Sequence, residues 1–172
     1  ASGYEVKVSA GFSPLKEAAF TKAVDQPIHN YRETVAEVGK IKQMLFGGFS
    51  NCLYPLQKFD SDTERRFSVI LERDAIKWFK PVSGQFQIVY KDGVEHRQYQ
   101  PDFVAELDSE VLMVETKARN ELDDAIVQAK AEAAREYCKN ASDYLQANGG
   151  KRWRYVLVAH DEVTENRAAS DF

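Results

Sequence analysis

Hydrophobic and polar positions alternate clearly enough along much of this chain to mark its elements. Val111 to Val114 is apolar on both faces, the pattern of a strand buried inside a sheet. It ends in Glu115-Thr116-Lys117, where the period of two puts Glu115 and Lys117 on one face and Thr116 on the other. The polar turn Leu107-Asp108-Ser109-Glu110 joins it to a preceding strand that begins near Glu95 and carries Tyr99, Pro101 and Phe103 on one face, Gln100, Asp102 and Val104 on the other. Proline donates no ladder hydrogen bond, so an edge or a bulge is expected at Pro101. Phe86, Ile88 and Tyr90 alternate in a half-buried strand, and Asp92-Gly93 marks a hairpin. Residues 76–80, before Pro81, read as a short strand or an irregular edge.

Three helices are expected. From about Asn30 to Phe46, the residues Tyr31, Val35, Val38, Ile41 and Leu45 draw one apolar stripe that Gly47-Gly48 would stop. A second opens after Asp60, where Ser61 and Glu64 have capping-box spacing. Glu64, Phe67, Ser68 and Leu71 fall on one face, so Glu64 is either a cap partner or an acid aimed at the sheet, and Glu72 reads as a solvated acid. The third runs from about Glu121 to Ala147 with a core stripe of Leu122, Ile126, Ala129, Ala133, Tyr137, Ala141 and Tyr144. Arg152 to Ala159 is a closing strand. A buried strand, a long helix and another apolar strand make a βαβ crossover, so the last two strands should be parallel. YEVKV at residues 4–8 could be a strand, followed by a turn at Gly11 to Pro14.

With 172 residues, 44% of them hydrophobic and 29% charged, the chain can bury a core and is not a disordered polymer. No apolar run approaches the roughly 20 residues that cross a bilayer, and there is no signal peptide, so a cytoplasmic location is expected. Cys52 and Cys138 read as reduced core residues. His29, His96 and His160 lack metal-ligand spacing. The formal charge of −4 argues mildly against a chain that grips DNA alone.

Asp102, Glu115 and Lys117 converge on one rim. Two carboxylates about 4 Å apart repel by roughly 4 kcal/mol at an effective dielectric near 20, and a divalent cation removes that repulsion. Mg²⁺ takes one or two carboxylates and keeps several waters. Asp102 and Glu115 fit that demand, the Thr116 carbonyl could give a third oxygen, and Lys117 could orient water or stabilise charge on a phosphate.

Pro101-Asp102, a turn, then Glu115-Thr116-Lys117 resembles the PD-(D/E)XK nuclease superfamily. From about Phe46 to Val163, through Gly48-Phe49, KFDSDTERRFSVILERD, KWFKP, GQFQIVY, YQPDFVAE, LMVETKA, AKAEAAREYC and WRYVLVAHDEV, the chain is similar to the C-terminal endonuclease domain of the type III restriction Res subunit. The resemblance implies an α/β restriction-endonuclease-like core (αβββαβ), a mixed central sheet flanked by helices, and Mg²⁺-dependent cleavage of duplex DNA, with Mn²⁺ as a possible substitute. It also implies a helicase (translocase) domain in the same longer chain and a methyltransferase (Mod) partner. Residues 1–46 would then be a connector packed on the nuclease core and 47–172 the endonuclease domain. Asp102, Glu115, Thr116 and Glu64 are the expected metal ligands and Lys117 the catalytic cation. Gln128 either positions the site or faces solvent, and Arg119 and Lys130 either contact phosphate or are ordinary solvated charges. The other reading is a catalytically inactive nuclease-fold module for DNA docking or complex assembly.

Overall fold

A computed structural model describes residues 25–172. The expected strand at residues 4–8 and the turn at 11–14 lie outside the described residues. Ten elements follow: β1 (Ile28–Asn30), β2 (Leu45–Gly47), α1 (Asp62–Asp74), β3 (Lys77–Phe79), β4 (Ile88–Asp92), β5 (Glu95–Tyr99), β6 (Phe103–Glu106), β7 (Glu110–Lys117), α2 (Ala125–Ala147) and β8 (Arg152–Ala159).

The central sheet has the order β3-β6-β7-β8. β3 and β6 are antiparallel, as are β6 and β7, while β7 and β8 are parallel over their full length, as the crossover requires. With α1 before β3 and α2 between β7 and β8, this is the mixed α/β αβββαβ core of a restriction-endonuclease-like fold. The hairpin β4–β5 is inserted between β3 and β6. Its turn bends at Gly93, whose φ of 64° lies in the left-handed region that a side chain disfavours.

Strand alternation divides the core in two. Leu112 and Val114 of β7, with Phe103 and Ala105 of β6, face α1 and pack on Phe67, Ile70 and Leu71. Met113 faces the other way, onto Ala131, Ala134 and Cys138 of α2 and Tyr99 and Tyr155. Glu115 and Lys117, in step with Met113, therefore share the α2 side. Both cysteines are free thiols, Cys138 buried and Cys52 partly so.

Residues 30–46 do not form the expected helix. β1 pairs with β2 in parallel, and between them only Val38–Gln43 is helical, as a 3-10 turn. Thr34, Val35, Val38 and Ile41 are β-branched and Gly39 sits among them, so the local helix preference is poor. Burial follows the folded path: Tyr31, Val35, Ile41 and Phe46 join the α1-side core, whereas Val38 is 56% exposed. A side chain at Gly48 (φ 87°) would collide with the Asn30 amide.

The core stripe of α2 is also displaced. Val127, Ala131, Ala134, Cys138 and Ser142 are buried, while Ile126 and Tyr144 are nearly half exposed. Alanines at 129, 131, 133 and 134 make two neighbouring stripes equally apolar, and burial against β4 and β8 selects one. Glu72 is not a solvated acid. Its carboxylate accepts the Ser50 and Asn51 N–H groups and the Trp78 indole N–H at 2.8, 2.9 and 2.8 Å, tying α1 to the loop after β2.

Candidate active site at the rim of the sheet

Asp102 is placed by an irregularity in β6. Phe103 is in register with Val114, yet the Asp102 N–H also reaches the Val114 carbonyl, at 2.9 Å. Asp102 and Phe103 thus oppose one residue of β7, the two-against-one count of a β-bulge, one residue beyond Pro101. Past the bulge the ladder continues through a side chain. Asp102 Oδ2 accepts the Thr116 N–H at 2.8 Å and the Thr116 hydroxyl at 3.1 Å. No buried side-chain oxygen lacks a partner among the described residues, so Oδ1, which has none, is open to solvent. In an extended strand the N–H and C=O of one residue point the same way, so the Thr116 carbonyl faces Asp102 as well.

On the α2 side of Asp102, Glu115 is buried and accepts the Tyr99 O–H at 2.6 Å through Oε2. Its Oε1 stands 3.9 Å from the half-buried ammonium of Lys117. Burial, followed by the Asp102 charge, raises the Glu115 carboxyl to about 8, against the opposing pull of Tyr99, Lys117 and Lys130. The Tyr99 hydroxyl is pushed far upward by its own burial and by Glu115, so it stays a donor. Lys130 lies 5.8 Å above the Tyr99 ring and 5.4 Å above that of Tyr90.

On the α1 side, Ser61 caps the helix by accepting the Glu64 N–H at 3.2 Å. The Glu64 side chain does more than cap. Oε2 accepts the Asp60 N–H at 2.6 Å, and Oε1 lies 3.1 Å from Lys80 Nζ. Burial raises Glu64 to about 7, with Lys80 opposing and Asp102 adding to the rise. Lys80 also donates to the Asp102 carbonyl at 3.2 Å and sits 4.4 Å over the Phe103 ring. Asp102 therefore stands between two buried acids, each with its own lysine.

The donor set is suited to a hard divalent cation. All its atoms are oxygens, and two of its carboxylates ionise with difficulty, chiefly because they are buried and then because each feels the Asp102 charge. Among the described residues no group of three or more His, Cys, Asp or Glu side chains is placed to hold a metal ion by itself. Mg²⁺ does not require such a group, since it retains waters and uses one or two carboxylates.

The remaining sequence candidates lie further out. Arg119 forks onto Asp161 at 2.7 and 2.8 Å, both side chains exposed, and Gln128 is exposed and donates to the Leu122 carbonyl. Sequence reasoning missed Lys80 and Tyr99. Lys80 follows an apolar edge strand 22 residues before Asp102 and carries no signal, while Tyr99 reads as a core aromatic that only its nearness to Pro101-Asp102 could have singled out.

Comparison with known families bears on this same stretch. Residues 73–146 match the family model of the TnsA-like endonuclease N-terminal domain. The matched segment runs from the end of α1 into the last turn of α2 and includes Lys80, Tyr99, Asp102, Glu115 and Lys117, but not Glu64 or β8. It supports the nuclease superfamily and does not single out the type III Res subunit. No curated protein and no solved structure matches the chain.

Proposed function

We propose that this chain is a Mg²⁺-dependent DNA endonuclease domain, with Asp102, Glu115, Thr116 and Glu64 holding the cation and Lys117 acting at the scissile phosphate. The observation that carries the reading is the position of Asp102, electrostatically linked to both Glu64 and Glu115 at the rim where Lys117 emerges. The match to an endonuclease domain over residues 73–146 supports it.

Asp102 Oδ1, Glu115 and the Thr116 carbonyl would be direct ligands, and Glu64 a direct or water-mediated one. The bound cation supplies a Lewis acid that makes water a nucleophile near neutral pH and neutralises charge on the phosphate. The protein does the rest. Thr116 fixes the Asp102 carboxylate by two hydrogen bonds, Tyr99 fixes Glu115, and Lys80 holds Glu64 at the mouth of α1. The Lys117 ammonium donates to the attacking water or to a non-bridging phosphate oxygen as the P–O bond of the leaving group breaks.

The similarity from about Phe46 to Val163 supports a finer assignment, a type III restriction Res subunit in which a helicase domain precedes this one and a methyltransferase subunit chooses the DNA site. The decisive experiment is cleavage of labelled duplex DNA with Mg²⁺ or Mn²⁺, beside single-stranded DNA and RNA. Metal-dependent cutting of duplex that disappears in a folded Lys117→Ala variant is expected. Equal nicking by that variant rejects the role given to Lys117, and no cutting of any substrate favours the catalytically inactive docking module.

A further inference from the structure

A second charged feature lies between the later turns of α2 and the start of β8. Between α2 and β8, the outermost strand of the sheet, a groove of about 390 Å³ is lined by Arg135, Lys139, Asp143, Arg152, Trp153 and Tyr155, among others. Arg135 and Lys139 are one turn apart on α2, exposed, and Arg152 is exposed at the start of β8. None of the three is ion-paired among the described residues; Arg135 only overlies the Tyr155 ring, 5.7 Å from its centroid. Arg154, also on the wall, is committed to Glu110 by a two-point fork at 2.8 and 2.9 Å. A chain with a net charge of −4 thus lines one groove with three cations that form no ion pair among the described residues, beside a single acid, Asp143, and with Arg152 also acting on the charge of Glu110.

The groove reaches the candidate active site through one buried contact. Its floor residue Tyr155 has its hydroxyl 3.4 Å from that of Tyr99, which donates to Glu115. Register pairs Arg152 with Glu110 and Ala159 with Lys117, so Arg152 lies roughly 23 Å from Lys117 along the strands, at about 3.3 Å per residue. That is the span of about seven base pairs at 3.4 Å each. Trp153 does not offer a base-stacking platform, because it packs edge-on against Phe86 and Tyr137. Point charges spaced along a groove without free aromatic faces suit the phosphates of a duplex better than the splayed bases of a single strand.

We propose that Arg135, Lys139 and Arg152 bind the duplex DNA backbone flanking the cleaved phosphate, a proposal that rests on the nuclease reading above. The test is binding of a labelled DNA duplex by the wild-type chain in chelated, metal-free buffer over a range of salt, so that no cutting intervenes. Replacing the three cations together (Arg135→Gln, Lys139→Gln, Arg152→Gln) should weaken binding and lower the slope of log affinity against log salt by about one per residue. The same number of cations removed elsewhere (Lys40→Gln, Lys42→Gln, Lys91→Gln) should leave the slope within a fraction of a unit. Should the triple variant fail to fold, Lys139→Gln alone should lower the slope by about one. An unchanged slope, an equal fall in the control, absence of duplex binding by the wild type, or an effect confined to single-stranded DNA or RNA overturns the proposal. Cutting with Mg²⁺ is read separately: a wild type that cuts but shows no groove effect refutes the groove alone, and one that binds through the groove but never cuts refutes the nuclease.

Discussion

Replacing Glu115 by glutamine isolates the electrostatic strain at the site. The Glu115 carboxyl is raised from 4.5 to about 8 in the folded chain, chiefly by burial and then by Asp102. A group that binds its proton more tightly when folded contributes stability below its unfolded value, and that contribution is lost as pH rises through the folded value. Between about pH 5 and about pH 8.5, at 1.36 kcal/mol per unit, the metal-free protein should lose about 4 kcal/mol from this residue. For a chain of this size the loss corresponds to a fall in Tm on the order of 10 °C. The Glu115→Gln side chain keeps an oxygen for the Tyr99 hydroxyl but cannot ionise, so most of the fall should vanish. Glu64, raised to about 7, leaves a smaller residual loss of the same sign. Asp74, Glu110 and Asp161, held below their ordinary values by Arg73, Arg154 and Arg119, lose their stabilisation only at more acid pH and stay outside this window. Thermal melts across the range, with and without Mg²⁺, read both effects. Mg²⁺ at the alkaline end should restore much of the lost Tm in the wild type and little in the variant. Identical pH slopes for the two proteins would refute the reasoning.

Three further outcomes follow from contacts at and near the site. Tyr99→Phe removes a hydrogen bond to a charged acceptor, worth about 1.5–3 kcal/mol, and should raise the Mg²⁺ concentration giving half-maximal thermal stabilisation by about 10-fold or more. An unchanged midpoint would show that Tyr99 does not position Glu115. Lys80→Met leaves Glu64 buried without its cation and should lower unfolding stability by about 3 kcal/mol in urea near pH 8; the loss should shrink near pH 5, where Glu64 is protonated, and a pH-independent loss would contradict the pairing. Glu72→Ala strands three N–H donors and should destabilise by about 3 kcal/mol in the same assay, without changing the metal response.

What could be read in advance was what depends on near neighbours in the chain. The β6–β7 hairpin, the Asp92-Gly93 turn, the Ser61 cap and the parallel pairing of β7 with β8 all follow from period, turn chemistry or crossover length. The bulge at Asp102 was foreshadowed by Pro101, which cannot serve a ladder. Misreadings arose where distant partners decided the outcome. Residues 30–46 carry apolar spacings that suit a helix, but β1 finds its partner in β2 across the intervening loop. Alanine is equally at home on either α2 stripe, so composition could not orient that helix. Glu72, Lys80 and Tyr99 are ordinary residues in the linear sequence; their roles exist only because Trp78, Glu64 and Glu115 are brought to them.

The parallel seam between β7 and β8 also has a consequence for how the chain comes into being. Every acid and lysine of the site has been synthesised by Lys117, yet the strand that completes the outer flank of β7 is made only after the whole of α2. Until then β7 is an unfinished edge, and its Glu-x-Lys end has nothing on one side to hold its direction. A polypeptide halted after Ala147 would carry a full complement of reactive side chains and still be a blunt tool. On the endonuclease reading proposed above, this order of assembly ties the onset of cutting to the end of folding.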